Sequence, residues 1–295
     1  MKQTKLLLLI PLLFGLFGCK AKEKEFDPKP LEPEVSYDDV YLIMGQSNAS
    51  GVSPHQFLQA SNLDLYQRYT MGNSKVLMSY DVDGRVETNY LPTQFGFGCD
   101  TPYFGPEIGI ADVLSKKEQT QYIIKASWGG SCLQTQYMDK NGNELELYTR
   151  YIAFIKGELK VLEDQGKNPR IRGIFWMQGE SDSWREDHDY KQAQFLFFNH
   201  LKSDLNNWIY DYINIVDAYI STRSILWPHP NIVNECKQQL ADENEHWYCI
   251  KTNGEDESAL TLYLKCETNE GDDAAHYDSQ SMVALGKAAG EYLIK

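Results

Sequence analysis

Short apolar runs alternate, over most of the chain, with segments whose apolar positions recur at helical spacing. Tyr41-Leu42-Ile43-Met44 is an unbroken apolar, β-prone run that stops at Gly45, the pattern of a strand buried on both faces. Pro106-Glu107 opens a helix reaching about Lys117, and Tyr122–Ser127 reads as a second strand. Leu145, Tyr148, Ile152, Ile155, Leu159 and Leu162 then step by three and four residues, an amphipathic stripe closed by Gly166. A third strand, Ile171–Gln178, is followed by a long helix over about Asp187–Ile209 that buries Tyr190, Phe197, Phe198, Leu201, Leu205 and Trp208. Ile213–Ile220 is a fourth strand and Asn231–Glu243 a shorter helix. The last helix, Ser279–Leu293, carries Met282, Leu285, Ala289 and Tyr292 on one face. Strands alternating with helices predict an α/β fold, a parallel sheet of about five strands covered on both sides.

Two regions resist this pattern. Residues 52–98 are polar and aromatic with little periodicity, punctuated by Gly72-Asn73, Asp83-Gly84 and Phe95-Gly96-Phe97-Gly98. They read as a loop insertion over the site, with room for a small hairpin. In the tail, Trp247–Lys251 and Ala259–Lys265 both look like strands, separated by a turn at Asn253-Gly254, and only one can be the fifth core strand. Paired as a hairpin, they would bring Cys249 and Cys266 face to face.

The N-terminus changes the picture of where the protein works. A basic start, Met1–Lys5, precedes the apolar run Leu6–Phe14, which is too short to span a membrane, and then Leu16-Phe17-Gly18-Cys19. This resembles a bacterial lipoprotein signal: residues 1–18 are removed and Cys19 takes the lipid. Residues 19–35, rich in Lys, Glu and Pro, read as a flexible tether, and 36–295 as the folded domain. The expected location is the bacterial cell envelope, lipid-anchored and facing periplasm or cell surface. Disulfides can persist there, and Cys99, Cys132, Cys236, Cys249 and Cys266 form at most two pairs. A formal charge of −14 argues against nucleic acid as partner. The 13% aromatic content supplies flat contact surface that suits sugars as well as packing. No cysteine or histidine spacing suggests a metal, and nothing calls for a cofactor.

Candidate chemistry collects at the carboxyl ends of the predicted strands, where ligands bind in open α/β sheets. Gly45-Gln46-Ser47-Asn48 follows the first strand, Trp128-Gly129-Gly130-Ser131 the second and Gln178-Gly179-Glu180-Ser181-Asp182 the third; Gly271–His276 lies beyond the last. Serine-mediated acyl transfer needs a hydroxyl, a base near neutral pH, an acid to orient that base, and fixed donors for the oxyanion. Ser47 supplies the hydroxyl, His276 the base and Asp273, three residues earlier, the acid. Backbone N–H groups at Ser47 and at Gly129 or Gly130, with the amide of Gln178, are the candidate donors.

These blocks, with Trp176-Met177 before Gln178 and with Asp273-Ala274-Ala275-His276, resemble the conserved blocks of SGNH-type hydrolases. Within them the chain is most similar, over about Val40–Leu293, to the sialate O-acetylesterase-like branch that includes the acetylxylan esterases of carbohydrate esterase family 6. The resemblance implies a three-layer α/β/α flavodoxin-like fold and metal-free deacetylation of glycan hydroxyls on acetylated xylan or O-acetylated sialic acid. It implies Ser47 as nucleophile, His276 as base, Asp273 as its acid partner, and Gly130 with Gln178 in the oxyanion hole. Phe104-Gly105-Pro106-Glu107 resembles a further block. Glu180 is a second candidate for orienting the histidine, and Asp272 a weaker one. A non-catalytic surface glycan-binding lipoprotein, or an esterase for another acyl group, are the alternative readings. An ordinary α/β-hydrolase would need Gly-x-Ser-x-Gly, and Ala49 stands in the last position.

Overall fold

A sheet of seven strands is built around β1 (Asp38–Gly45) in a computed structural model that describes residues 36–295. The expected signal segment, Cys19 and the expected tether therefore lie outside the described residues. The other strands are β2 (Asn73–Val82), β3 (Arg85–Thr93), β4 (Gln121–Ser127), β5 (Pro169–Met177), β6 (Asn214–Ala218) and β7 (Trp247–Ile250), in the order β3-β2-β4-β1-β5-β6-β7. All pairings are parallel except that of β2 with β3. β1 sits between β4 and β5 with Val40–Met44 shut off from solvent, which is why its run is apolar without alternation.

Helices α1 (Leu63–Met71), α2 (Glu107–Leu114), α3 (Glu146–Asp164), α4 (Asp189–Asp204), α5 (Pro230–Glu243) and α6 (Ser279–Leu293) complete the layers. α2 and α6 pack together on one face of the sheet; α3, α4 and α5 cover the other. This is the three-layer α/β/α arrangement expected, with two strands more than expected. The extra pair is β2 and β3, inside the region read as a loop with a small hairpin. β3 is an edge strand, and Arg85, Glu87, Thr88 and Asn89 interrupt its apolar residues Val86, Tyr90 and Leu91 without a clean period of two, so hydropathy alone conceals it. Its turn, Asp83-Gly84, is tight, with both residues at positive φ.

In the tail the fifth parallel partner of the sheet's right-hand side is β7, the first of the two candidates. Ala259–Lys265 is not a strand of the sheet. It turns back at Gly254, whose N–H donates to Leu260 O, lies beside residues 251–253, and bridges Leu264 to Tyr277. The expected Cys249–Cys266 bond is not formed: all five cysteines of the described residues are free thiols, Cys249 half-buried on β7 and Cys266 exposed. The two segments pair only briefly, residues 251–254 with 260–262, and neither cysteine lies in the paired stretch.

Phe104–Glu107 also acquires a role. Glu107 opens α2 with no exposure, accepting the Gly105 N–H at 2.7 Å and pairing with Lys125 of β4 at 2.7 Å. The Lys125 ammonium donates in addition to Ser50 O at 2.7 Å and Phe97 O at 3.1 Å. A buried charge pair thus ties α2, the central sheet and the turn after β1 into one unit.

Candidate active site

The turn after β1 begins with Gly45 at φ +142°, where a Cβ would overlap the Met177 carbonyl; only glycine lets β1 and β5 end this close together. Gln46 N donates to Met177 O at 2.9 Å, and Ser47–Ser50 then make one helical turn closed by Ser50 N to Gln46 O at 2.7 Å. Ser47 is its first residue and is half-buried, whereas Gln46, Asn48, Ala49 and Ser50 are buried. A hydroxyl is thereby held at the sheet edge by neighbours that are themselves locked.

Gln46 and Asn48 point to opposite sides of Ser47 and tie down the other loops. Gln46 Oε1 accepts from Gly179 N and Gln178 Nε2, both at 3.3 Å, and from Ser181 N at 3.2 Å, fixing the loop after β5. Asn48 Nδ2 donates to Glu180 Oε1 at 2.7 Å and to Ala275 O at 3.3 Å, while its Oδ1 accepts from Tyr277 N at 3.3 Å. Asn48 therefore grips the backbone on both sides of His276, which brings the histidine beside Ser47 across the whole length of the chain. No hydrogen bond joins Ser47 Oγ to His276 itself among the described residues; the juxtaposition runs through Asn48.

Asp273 is in contact with His276. Its Oδ2 lies 2.7 Å from His276 Nδ1, and its Oδ1 accepts from Ala275 N at 2.8 Å and His276 N at 3.3 Å. Burial works against ionisation of Asp273, but hydrogen bonds from His276 and from Lys265 outweigh it and hold the carboxyl far below its ordinary range. An ionised carboxylate only accepts, so Nδ1 carries the proton and the Nε2 lone pair of the neutral ring stays available. Glu180, the second candidate, sits differently. Its side chain is buried and meets Asn48 rather than the imidazole, and Oε2 has no hydrogen-bond partner. Burial pushes its carboxyl upward, only partly offset by the Asn48 hydrogen bond and the charge of Lys237. Two carboxyls near one imidazole are thus driven apart, and the one in contact is the ionised one.

The loop after β4 completes the edge. Gly129 packs on Ser47: a Cβ there would lie 3.7 Å from Ser47 Cβ. Its N–H, however, donates to Asp83 Oδ1 at 2.5 Å, from the tip of the β2–β3 hairpin, and is not free for an oxyanion. Gly130 is exposed at φ +66° with open space around it. Gln178 is fully buried, and its amide N–H groups go to Asp182 Oδ2 at 2.6 Å, Ser131 O at 3.1 Å and Gln46 Oε1 at 3.3 Å; Tyr190 Oη donates to its Oε1 at 3.0 Å. Gln178 lies under the site as a junction between the second and third loops. Asp182, accepting also from Leu133 N at 2.8 Å, belongs to the same junction.

Gln46, Asn48, Asp83 and Lys265 were not singled out by residue pattern. Asn48 lay within the Gly-x-Ser-Asn turn, so its position was signalled although its role was not. Asp83 and Lys265 reach the site from distant segments whose path the pattern did not reveal.

A mostly parallel sheet covered by helices on both faces, with Ser47, His276 and Asp273 on loops at its carboxyl edge, is consistent with the SGNH-like hydrolase fold. Residues 37–295 match the family described as "Carbohydrate esterase, sialic acid-specific acetylesterase", and the chain belongs to it, which makes it a carboxylic ester hydrolase. Among solved structures it is similar to an Arabidopsis thaliana protein, at 19% identity and a TM-score of 0.59, with 88% of this chain and 98% of that one covered. NanS is likewise similar, at 15% identity and a TM-score of 0.56, with 88% and 97% covered. These two share the fold. Comparison with curated protein sequences finds no significant match.

Proposed function

We propose that the protein is a serine carbohydrate O-acetylesterase that removes acetyl groups from glycan hydroxyls, on an acetylated xylan-type polysaccharide or O-acetylated sialic acid. The observation that supports this reading is the Asn48 clamp, which ties the residue after Ser47 to the backbone on both sides of His276, itself in contact with Asp273. Ser47 Oγ attacks the acetyl carbonyl as Nε2 of His276 takes its proton. The same proton passes to the departing sugar oxygen as the C–O bond breaks, leaving acetyl on Ser47. Water then attacks the acetyl-enzyme, again with His276 as base, and acetate leaves with Ser47 reprotonated. The N–H groups of Ser47 and Gly130 are the proposed oxyanion donors, with Gln178 holding both loops in place.

We place the enzyme in the bacterial cell envelope, with residues 1–18 as signal, Cys19 lipidated and 19–35 as tether; radiolabelled palmitate retained by the wild type and lost in Cys19→Ala tests this. The activity is tested by acetate release from acetylated xylan, O-acetylated sialic acid and 4-nitrophenyl acetate. Wild type should release acetate, and Ser47→Ala and His276→Ala should each be slower by roughly three or more powers of ten, with substrate binding retained. Near-normal turnover in either variant refutes the assignment. Binding of acetylated glycans without release from any of the three favours a non-catalytic binder or another acyl group.

A further inference from the structure

One oxygen of Asp273 meets two nitrogens, an imidazole and an ammonium. Oδ2 lies 2.7 Å from His276 Nδ1 and 2.7 Å from Lys265 Nζ. The Lys265 side chain is only 7% exposed; its ammonium also donates to Val52 O at 3.1 Å and lies 5.7 Å from the centre of the Tyr103 ring. The backbone laces the same segments together, Lys265 N donating to His276 O and Cys266 N to Asp273 O, both at 3.0 Å. Lys265 is therefore anchored where it stands, and removing an ammonium from water needs a counter-charge. Glu270 is the other carboxyl near it, but Glu270 Oε2 is engaged by Ser279 N at 2.8 Å and Ser279 Oγ at 2.7 Å. Asp273 is the partner.

We propose that Lys265 is a positioning residue of the esterase site, which fixes the Asp273 carboxylate for His276 and, by sharing its negative charge, limits how strongly that carboxylate favours the protonated imidazole. The inference rests on the reading of Ser47, His276 and Asp273 as the reacting set. Asp273 of its own loop touches the imidazole, Lys265 of the turn Lys265–Glu267 reaches it through Asp273, and Glu180 of the loop after β5 lies close enough to feel its charge. Of these, Lys265 is the cation. With it present the ammonium and carboxylate balance, and the neutral ring that acts as base persists to lower pH. Without it the carboxylate is left to pair with the imidazolium alone, and the base is lost at higher pH.

The test is the pH dependence of kcat/KM on 4-nitrophenyl acetate for the full chain. Lys265→Met and the similarly sized Lys265→Gln should move the acid limb to higher pH by about one unit, the size of a displaced neighbouring charge. Lys265→Arg, which keeps the cation, should leave the limb near its wild-type position. Folded Met and Gln variants with a uniform loss at all pH values and an unmoved limb would overturn the proposal, as would failure of both to fold while Lys265→Arg folds. Those results leave the esterase reading standing; full turnover by Ser47→Ala in the same assay would instead remove the reading itself.

Discussion

Asn48→Ala is the sharpest test of how the site is assembled. The substitution removes three hydrogen bonds at once, 2.7 Å to Glu180 Oε1 and 3.3 Å each to Ala275 O and from Tyr277 N. It leaves Glu180, whose Oε2 has no partner already, with neither carboxylate oxygen bonded. Unpartnered buried groups cost about 1–3 kcal/mol each, so with the two longer bonds counted at the low end the loss of stability is about 3–5 kcal/mol. That corresponds to a fall of roughly 6–10 °C in Tm for a domain of this size, at about 2 °C per kcal/mol. The kinetic effect should be larger than stability alone explains. Nothing else in the turn after β1 bonds to the backbone flanking His276, and a displacement of about 1 Å in a reacting group costs on the order of 100-fold. The assay is kcat/KM on 4-nitrophenyl acetate at a temperature where circular dichroism shows the variant folded. A folded Asn48→Ala within a few-fold of wild type would show that His276 is held beside Ser47 by other means.

Two further outcomes concern the scaffold. Lys125→Met strands the Glu107 carboxylate in a site with no exposure, so urea unfolding should show a loss of about 3–5 kcal/mol, while Glu107→Gln combined with Lys125→Met should recover much of it. Glu158 of α3 is 3% exposed, with Oε2 unpartnered; burial pushes its carboxyl up to about 7. Because the folded value lies above the unfolded one, its contribution is full below the ordinary carboxylate range and is lost as pH rises from there through about 7. Glu158→Gln should remove that decline, so its stability relative to wild type should rise between pH 4 and pH 8, a comparison that urea midpoints at the two pH values report.

The central part of the fold was legible because β1, β4 and β5 are buried on both faces and so write themselves as apolar runs, and because α3 repeats its apolar positions at helical spacing. The edge strand β3 was not, since the apolar Val86 is exposed with Thr88 and Asn89 while the charged Arg85 and Glu87 are half-buried, so hydropathy does not sort its residues by face. In the tail, Ala259–Lys265 has strand composition but spends its hydrogen bonds on residues 251–253 and on the loop holding His276. Ser47, Asp273 and His276 could be named because each sits at the end of a recognisable element or within a short spacing. The committed hydrogen bonds of Gln178 and Gly129 were invisible, as each depends on a partner chosen only by the packed fold: Asp182 and Ser131 for one, Asp83 for the other.

The Asn48 clamp spans 229 residues, from the first turn of the domain to the loop before its last helix. During synthesis the strand bearing Ser47 emerges early, but the half of the site that bears His276 is made near the end. Non-local pairings of this span form late. A nascent or truncated chain therefore presents a serine with no base beside it, and esterase activity becomes a signal that the whole domain has closed. An enzyme assembled in this way is inert until the loop before its last helix has been made and docked.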